Sequence, residues 1–334
     1  MPFENGTKIK TNGSDPVYEV SRQKGFRASW PVASRYEIRD SILLPAGSAE
    51  WRSYYPATQK TIPIQLAKIK VGDEKALLAF AKKYGSLGFT ETLPFAVPSV
   101  LAKQLLHSED EILSMLMESC GLSDMKMWKA WIANGCAGDP LPWVWAHIQT
   151  LKFCIDLDPY IEAEDDEELS AFLRNYQGVD TRSTKQLGLV PNAAIQHESR
   201  FHTLTFPFRS KVSSGLTVSG FARFARRELI NKNLSGIRIG LEPEGSREKS
   251  YFAFRSLIEM AYWHLHNQIA AGTIKHCERP GCDGFFVRTH GRERFCPEPT
   301  TGPKNESRCA VLDRASRAMP KYRKKLKQKQ KRKN

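Results

Sequence analysis

Four of the chain's seven cysteines, Cys277, Cys282, Cys296 and Cys309, lie within 33 residues in the spacing C-x4-C-x13-C-x12-C. Thiolates clustered this way are the donor set of zinc, which takes four soft or borderline ligands in a tetrahedron at Zn–S distances of about 2.3 Å. Pro280-Gly281 stands inside the first pair. Proline fixes φ there and glycine permits a positive φ just before Cys282, so the turn carries Cys277 and Cys282 round to one side. An open catalytic site would need three protein ligands, a bound water and a nearby general base. Four thiolates make instead a closed, structural site for one Zn2+. Between Cys296 and Cys309 the twelve residues 297–308 read as a loop, which leaves His290 and His276 as alternatives to Cys309 for the fourth ligand. A disulfide framework fits an oxidising compartment. The polar stretch Met1 to Asn12 has no apolar core of a secretory signal, so a reducing, cytoplasmic setting is expected.

Three local elements must position these sulfurs. The turn at Pro280-Gly281 forms a knuckle. Phe285 to Arg288 is apolar and β-prone, Thr289 to Gly291 offers a turn, and Arg292 to Phe295 returns as a second strand that delivers Cys296. After Cys309, the residues Val311, Leu312, Ala315 and Met319 suit a short helix whose first turn donates the last thiolate. Knuckle, hairpin and helix together predict a treble-clef-like module over 273–319. Pro320 is expected to interrupt the helix, leaving 320–334 as a flexible tail that orders on contact.

The charge of the chain is concentrated at the same end. The net charge is +14, yet eleven Lys or Arg and no acid fall between Arg314 and Asn334. Removing those eleven from the fifty of the whole chain leaves 39 bases against 36 acids. A basic block beside a nearly neutral body contacts something anionic, with nucleic acid ahead of a membrane surface or an acidic protein. The candidate nucleic-acid-binding residues are Arg288, Arg292 and Arg294 in the predicted hairpin, then Arg314, Arg317, Lys321, Arg323, Lys324, Lys325 and Lys327. Six to ten phosphate contacts would weaken binding by about 10³ to 10⁵ between roughly 50 and 200 mM salt. Lysine dominates the far tail, which fits phosphate attraction better than bidentate base reading. No P-loop, dinucleotide-binding glycine pattern, HExxH or nucleophile elbow is present, so no catalytic residue is assigned and no enzyme is expected.

The rest of the 334 residues, with 41% hydrophobic content, can bury a real core. Residues 1–60 are rich in Gly, Pro and Ser and read as irregular, with one weak strand at Tyr36 to Leu44. Residues 61–272 form a mostly helical domain. Its predicted helices include Glu74 to Tyr84 with Gly85 as C-cap, one opened by Ser108, Ser123 to Ala133, one after Pro140, Val218 to Asn231, and Tyr251 to Ala271. Short strands are expected at Thr203 to Phe208 and Ile237 to Leu241. Eight acids between Asp156 and Glu168 read as a solvated loop leading into a helix. Cys120, Cys136 and Cys154 sit in apolar stretches and read as small buried residues, and His264 and His266 as structural. The longest uncharged apolar run, Pro140 to Leu151, falls short of the roughly 20 residues of a membrane span. The fold class is therefore mainly α with minor β: a helical N-terminal domain, the small zinc module and the basic tail.

Residues Cys277 to Cys296, with the Phe286-Val287-Arg288 strand and the approach Arg292-Glu293-Arg294-Phe295-Cys296, resemble the zinc finger of bacterial CGNR-type proteins. The stretch Ala79-Phe80-Ala81-Lys82-Lys83-Tyr84-Gly85-Ser86-Leu87 is similar to the helical ABATE domain that precedes such fingers. Two departures mark this chain as a divergent relative. Cys309 is followed by Ala310-Val311-Leu312 rather than the name-giving Gly-Asn-Arg, and the gap before it is wider. The resemblance implies a DNA-binding transcriptional regulator. The matching positions are the four cysteines and Arg314, Arg317 and Lys321. On this reading DNA comes before RNA as partner, with no membrane partner. An RNA-binding or ribosome-associated protein and a zinc-stabilised protein-interaction adaptor are the alternatives.

Overall fold

The computed structural model describes residues 29–92, 125–135, 137–163, 165–175, 179–180, 190–191, 218–234, 237–244, 247–282, 284–297 and 307–331. The helix expected after Ser108, the strand expected at Thr203 to Phe208, Cys120 and Cys136 lie outside the described residues. The chain divides into two compact units, Met1–His266 and Asn267–Asn334.

In the first unit the segment read as irregular holds four strands, β1 (Trp30–Ala33), β2 (Tyr36–Arg39), β3 (Ile42–Pro45) and β4 (Trp51–Tyr54). β1 pairs antiparallel with β4, and β3 lies between β2 and the two-residue β5 (Asp139–Pro140). The stretch expected as one strand is a hairpin because Asp40 and Ser41 take positive φ values of 49° and 61°. Two left-handed residues in a two-residue loop match the right-handed twist of the flanking strands.

Helices α1 (Ile62–Ala67), α2 (Glu74–Tyr84) and α3 (Phe89–Thr92) follow. α2 has the predicted bounds. Asp73 accepts the Ala76 N–H at its start, and Gly85 ends it at φ 94°. A Cβ at Gly85 would lie 2.7 Å from the Pro31 carbonyl oxygen, so the cap is restricted in space as well as in φ. Next come α4 (Met125–Ala133), α5 (Leu141–Asp156), α6 (Asp158–Ala163), α7 (Asp166–Asn175) and α8 (Val218–Lys232). Phe89 stands among Trp128, Trp131 and Trp143, with ring centroids 5.8, 5.5 and 5.3 Å away. Each such buried ring contributes about 1.5–3 kcal/mol. The buried Asp139 holds this corner by accepting the N–H groups of Leu87, Gly88 and Phe89 at the start of α3.

The acidic stretch is helical rather than a loop. Asp158 opens α6 and pairs with Arg226 of α8 at 2.6 Å. Asp165 accepts the N–H groups of Glu167 and Glu168, both at 3.0 Å, and so caps α7. Acids at helix N-termini meet the positive end of the dipole, and Glu162, Asp165, Glu167 and Glu168 remain exposed while the run folds.

β6 (Val179–Asp180) and β7 (Val190–Pro191) pair antiparallel, and the hairpin of β8 (Ile237–Glu244) and β9 (Arg247–Phe254) precedes α9 (Leu257–Ala270). Tyr251 to Phe254 were expected as the first turn of that helix, but they pair with Ile237 to Gly240. α9 begins later because Ser256 and Glu259 form a reciprocal cap: the Ser256 N–H donates to Glu259 Oε2 at 3.2 Å, and the Glu259 N–H to Ser256 Oγ at 3.4 Å. Cys154 is fully buried, and His264 Nε2 lies 2.9 Å from the Pro56 carbonyl. No helix among the described residues is long and apolar enough to cross a membrane.

Candidate metal centre

The second unit contains β10 (Ile274–His276), β11 (Phe285–Val287) and α10 (Arg308–Lys331). β10 and β11 pair antiparallel, Ile274 opposite Val287 and His276 opposite Phe285. The hairpin therefore spans the first cysteine pair instead of following it. The return segment expected at Arg292 to Phe295 is not a strand, because other partners claim its backbone. The Glu293 N–H donates to the His290 carbonyl at 3.1 Å, and the Arg294 carbonyl accepts the Glu278 N–H at 3.0 Å.

At the tip of this hairpin the Cys282 N–H donates to the Arg279 carbonyl at 3.1 Å, and Gly281 has φ 74°. These are the features of the expected turn at Pro280-Gly281. The Cys277 N–H donates to the Gly284 carbonyl at 2.8 Å, closing the loop. Gly284 is a position where only glycine fits. A Cβ there would lie 2.6 Å from Cys296 Sγ and 3.2 Å from Cys282 Sγ.

All four sulfurs converge: Sγ of Cys277, Cys282, Cys296 and Cys309 lie within 4.8 Å of one another. Four sulfurs placed tetrahedrally about 2.3 Å from one ion are about 3.8 Å apart. Cys282 Sγ is 3.7 Å from Cys309 Sγ and 3.9 Å from Cys296 Sγ. Those separations fit a shared metal ion and are far too long for an S–S bond of about 2.05 Å. The fourth position is filled by Cys309. His276 and His290 are not members of the group; the His276 ring packs near Phe285 and His290 is exposed.

Burial and hydrogen bonding set the state of these thiols. Burial pushes Cys282 up, but the Gly284 backbone, the Cys309 and Cys277 thiols and the Arg279 guanidinium outweigh it and bring it down to about 7. Burial and the neighbouring Cys277 and Cys282 sulfurs push Cys296 up, and burial does the same to Cys309. The Cys282 and Cys309 sulfurs raise the pKa of the neighbouring Arg279 guanidinium, which in turn lowers that of both thiols. A guanidinium beside these sulfurs suits thiolates bound to a cation, because it offsets the excess negative charge of four of them. The site thus has the donors, the spacing and the counter-charge for a divalent metal, and zinc is compatible with it.

Ser307 joins the last two ligands. Its hydroxyl donates to the Cys296 carbonyl and accepts the Ala310 N–H at 3.3 Å, capping α10 two residues before Cys309. Phe286, Cys277 and Cys296 form a small buried cluster, with Cys282, Phe295 and Cys309 packed against it. Gly284, Arg279 and Ser307 were not singled out from sequence. The signal for Ser307 was its residue type just ahead of a helix.

The candidate nucleic-acid-binding arginines divide by their partners. Arg294 pairs with Glu278, and Arg317 pairs with the buried Asp313 at 3.0 Å. Arg288 is half-buried beside β11, whereas Arg292 and Arg314 are exposed. Lys321, Arg323, Lys324, Lys325 and Lys327 all fall on α10. Pro320 was expected to break this helix, yet α10 runs unbroken through it to Lys331. A proline costs a helix one internal hydrogen bond and a steric clash; the Lys, Arg and Gln residues that follow are good helix formers and carry the helix on. The chain matches no protein-family model, no curated protein and no solved structure.

Proposed function

We propose that the second unit is a zinc-stabilised nucleic-acid-binding module and that the whole chain acts as a non-catalytic, DNA-binding regulator. The observation that carries this reading is that Cys309, the fourth sulfur, stands in the first turn of α10. Zinc bound there would fix in place a helix with ten Lys or Arg and a single acid. Four thiolates close the coordination sphere, so the ion's role is structural: its binding free energy becomes folding free energy for a unit with little core of its own. The helix, about 36 Å long, offers a row of cations to a phosphate backbone. Arg292, four residues before Cys296 and exposed, is the residue this reading assigns to base contacts. The likeness of Cys277 to Cys296 to CGNR-type fingers favours DNA over RNA.

The test is a salt titration of the zinc-loaded chain on duplex DNA and on structured RNA of equal length. Tighter binding to DNA with a steep salt slope is expected, and deleting Lys321 to Asn334 should flatten that slope. A preference for RNA would make the module an RNA binder, and no binding to either would refute the reading.

A further inference from the structure

α10 is inside out. Successive residues of a helix turn by about 100°, which puts Val311, Leu312, Ala315 and Met319 on one face and Cys309 and Asp313 on the opposite one. The acid on the metal side is 5% exposed, whereas Val311, Leu312 and Met319 are 37%, 42% and 51% exposed. The positions of Tyr322 and Leu326 continue the same face for two more turns. Surface helices of globular units turn their apolar stripe inward. An outward stripe on the most basic element of the chain calls for a partner that is apolar and acidic together.

We propose that this face docks α10 onto an anionic lipid bilayer, lying in the interface instead of crossing it. Charge complementarity selects this partner. By position, Arg314, Lys321 and Lys325 border the stripe on one side and Arg323 on the other. A bilayer takes the apolar residues below its headgroups and meets the flanking cations with acidic lipids. Nucleic acid supplies the negative charge but no apolar phase, and would leave the stripe in water. A second copy of the helix supplies the apolar face, but it would bring together two helices that each carry ten bases and one acid. The inference goes beyond the nucleic-acid reading, since it uses the stripe that phosphate binding leaves idle.

The experiment is co-sedimentation of the full, zinc-loaded chain with phosphatidylserine/phosphatidylcholine vesicles and with pure phosphatidylcholine vesicles. Binding to the acidic vesicles and none to the neutral ones is expected. Met319→Ser, alone and with Leu312→Ser, leaves the charge intact; the double variant should lower vesicle affinity about tenfold or more. Its zinc content and its DNA affinity should not change, so a misfolded module and a failed nucleic-acid reading are both distinguished from failure here. Equal vesicle binding by the wild type and the double variant would overturn the proposal, showing attraction by charge alone. No binding to acidic vesicles would overturn it too, as would loss in the variant only of self-association.

Discussion

The Ser307 hydroxyl donates to the Cys296 carbonyl, so the cap of the basic helix is tied to the backbone of the residue that carries the third sulfur of the group. One side chain thereby serves both the helix and the site. The twelve-residue gap before Cys309 does not loosen the fourth ligand, because its far end is held where the third ligand sits.

Ser307→Ala removes the donor to Cys296 and the acceptor for the Ala310 N–H together. A lost N-cap costs about 1 kcal/mol, so apparent zinc affinity should fall roughly fivefold. Competition with a chromophoric chelator measures this. Wild-type affinity in the variant would mean that the cap is independent of the site.

Gly284→Ala places a methyl group where the sulfurs of Cys296 and Cys282 already stand. Forcing an extra methyl into a packed position costs about 1–3 kcal/mol, roughly one to two orders of magnitude in metal affinity. The same chelator competition reads it out. Unchanged affinity would show that the backbone at 284 can move away from the metal group.

His264 gives the first unit a pH dependence. Burial and the nearby Lys60 hold its pKa below the usual value, against the pull of the Pro56 carbonyl. The unfolded chain then binds the proton more readily, so stability is full above about pH 6.5 and is lost as pH falls below it. His264→Gln keeps an N–H donor without a titrating ring. Urea unfolding of the two proteins at a series of pH values should show the wild type losing stability relative to the variant on acidification. Parallel curves would contradict the assignment.

The bounds of helix α2 were legible because Leu77, Ala81 and Tyr84 on its buried face and the terminator Gly85 are all local, whereas the Asp73 cap and the burial of Phe80 in place of Leu78 emerge only in the fold. The first three cysteines of the group were legible because thiolate spacing and turn chemistry are also local, whereas the twelve-residue gap before Cys309 left the fourth position open to His276 and His290. Tyr251 to Phe254 misled because aromatic residues fit a helical period as well as a strand, and only the Ser256–Glu259 cap marks the true start of α9. The pairing of β11 depended on where Glu293 and the Arg294 carbonyl would find partners, which composition does not encode. Gly284 and Arg279 lie beyond local reading for the same reason: each matters through sulfurs that the folded chain brings to it.

The central claim is that four thiolates of this chain share one zinc ion. Zinc K-edge X-ray absorption on the metal-loaded protein tests it most directly. One zinc per chain with four sulfur neighbours at about 2.3 Å is expected. Nitrogen or oxygen in that first shell, or a chain that retains no stoichiometric zinc, would contradict it.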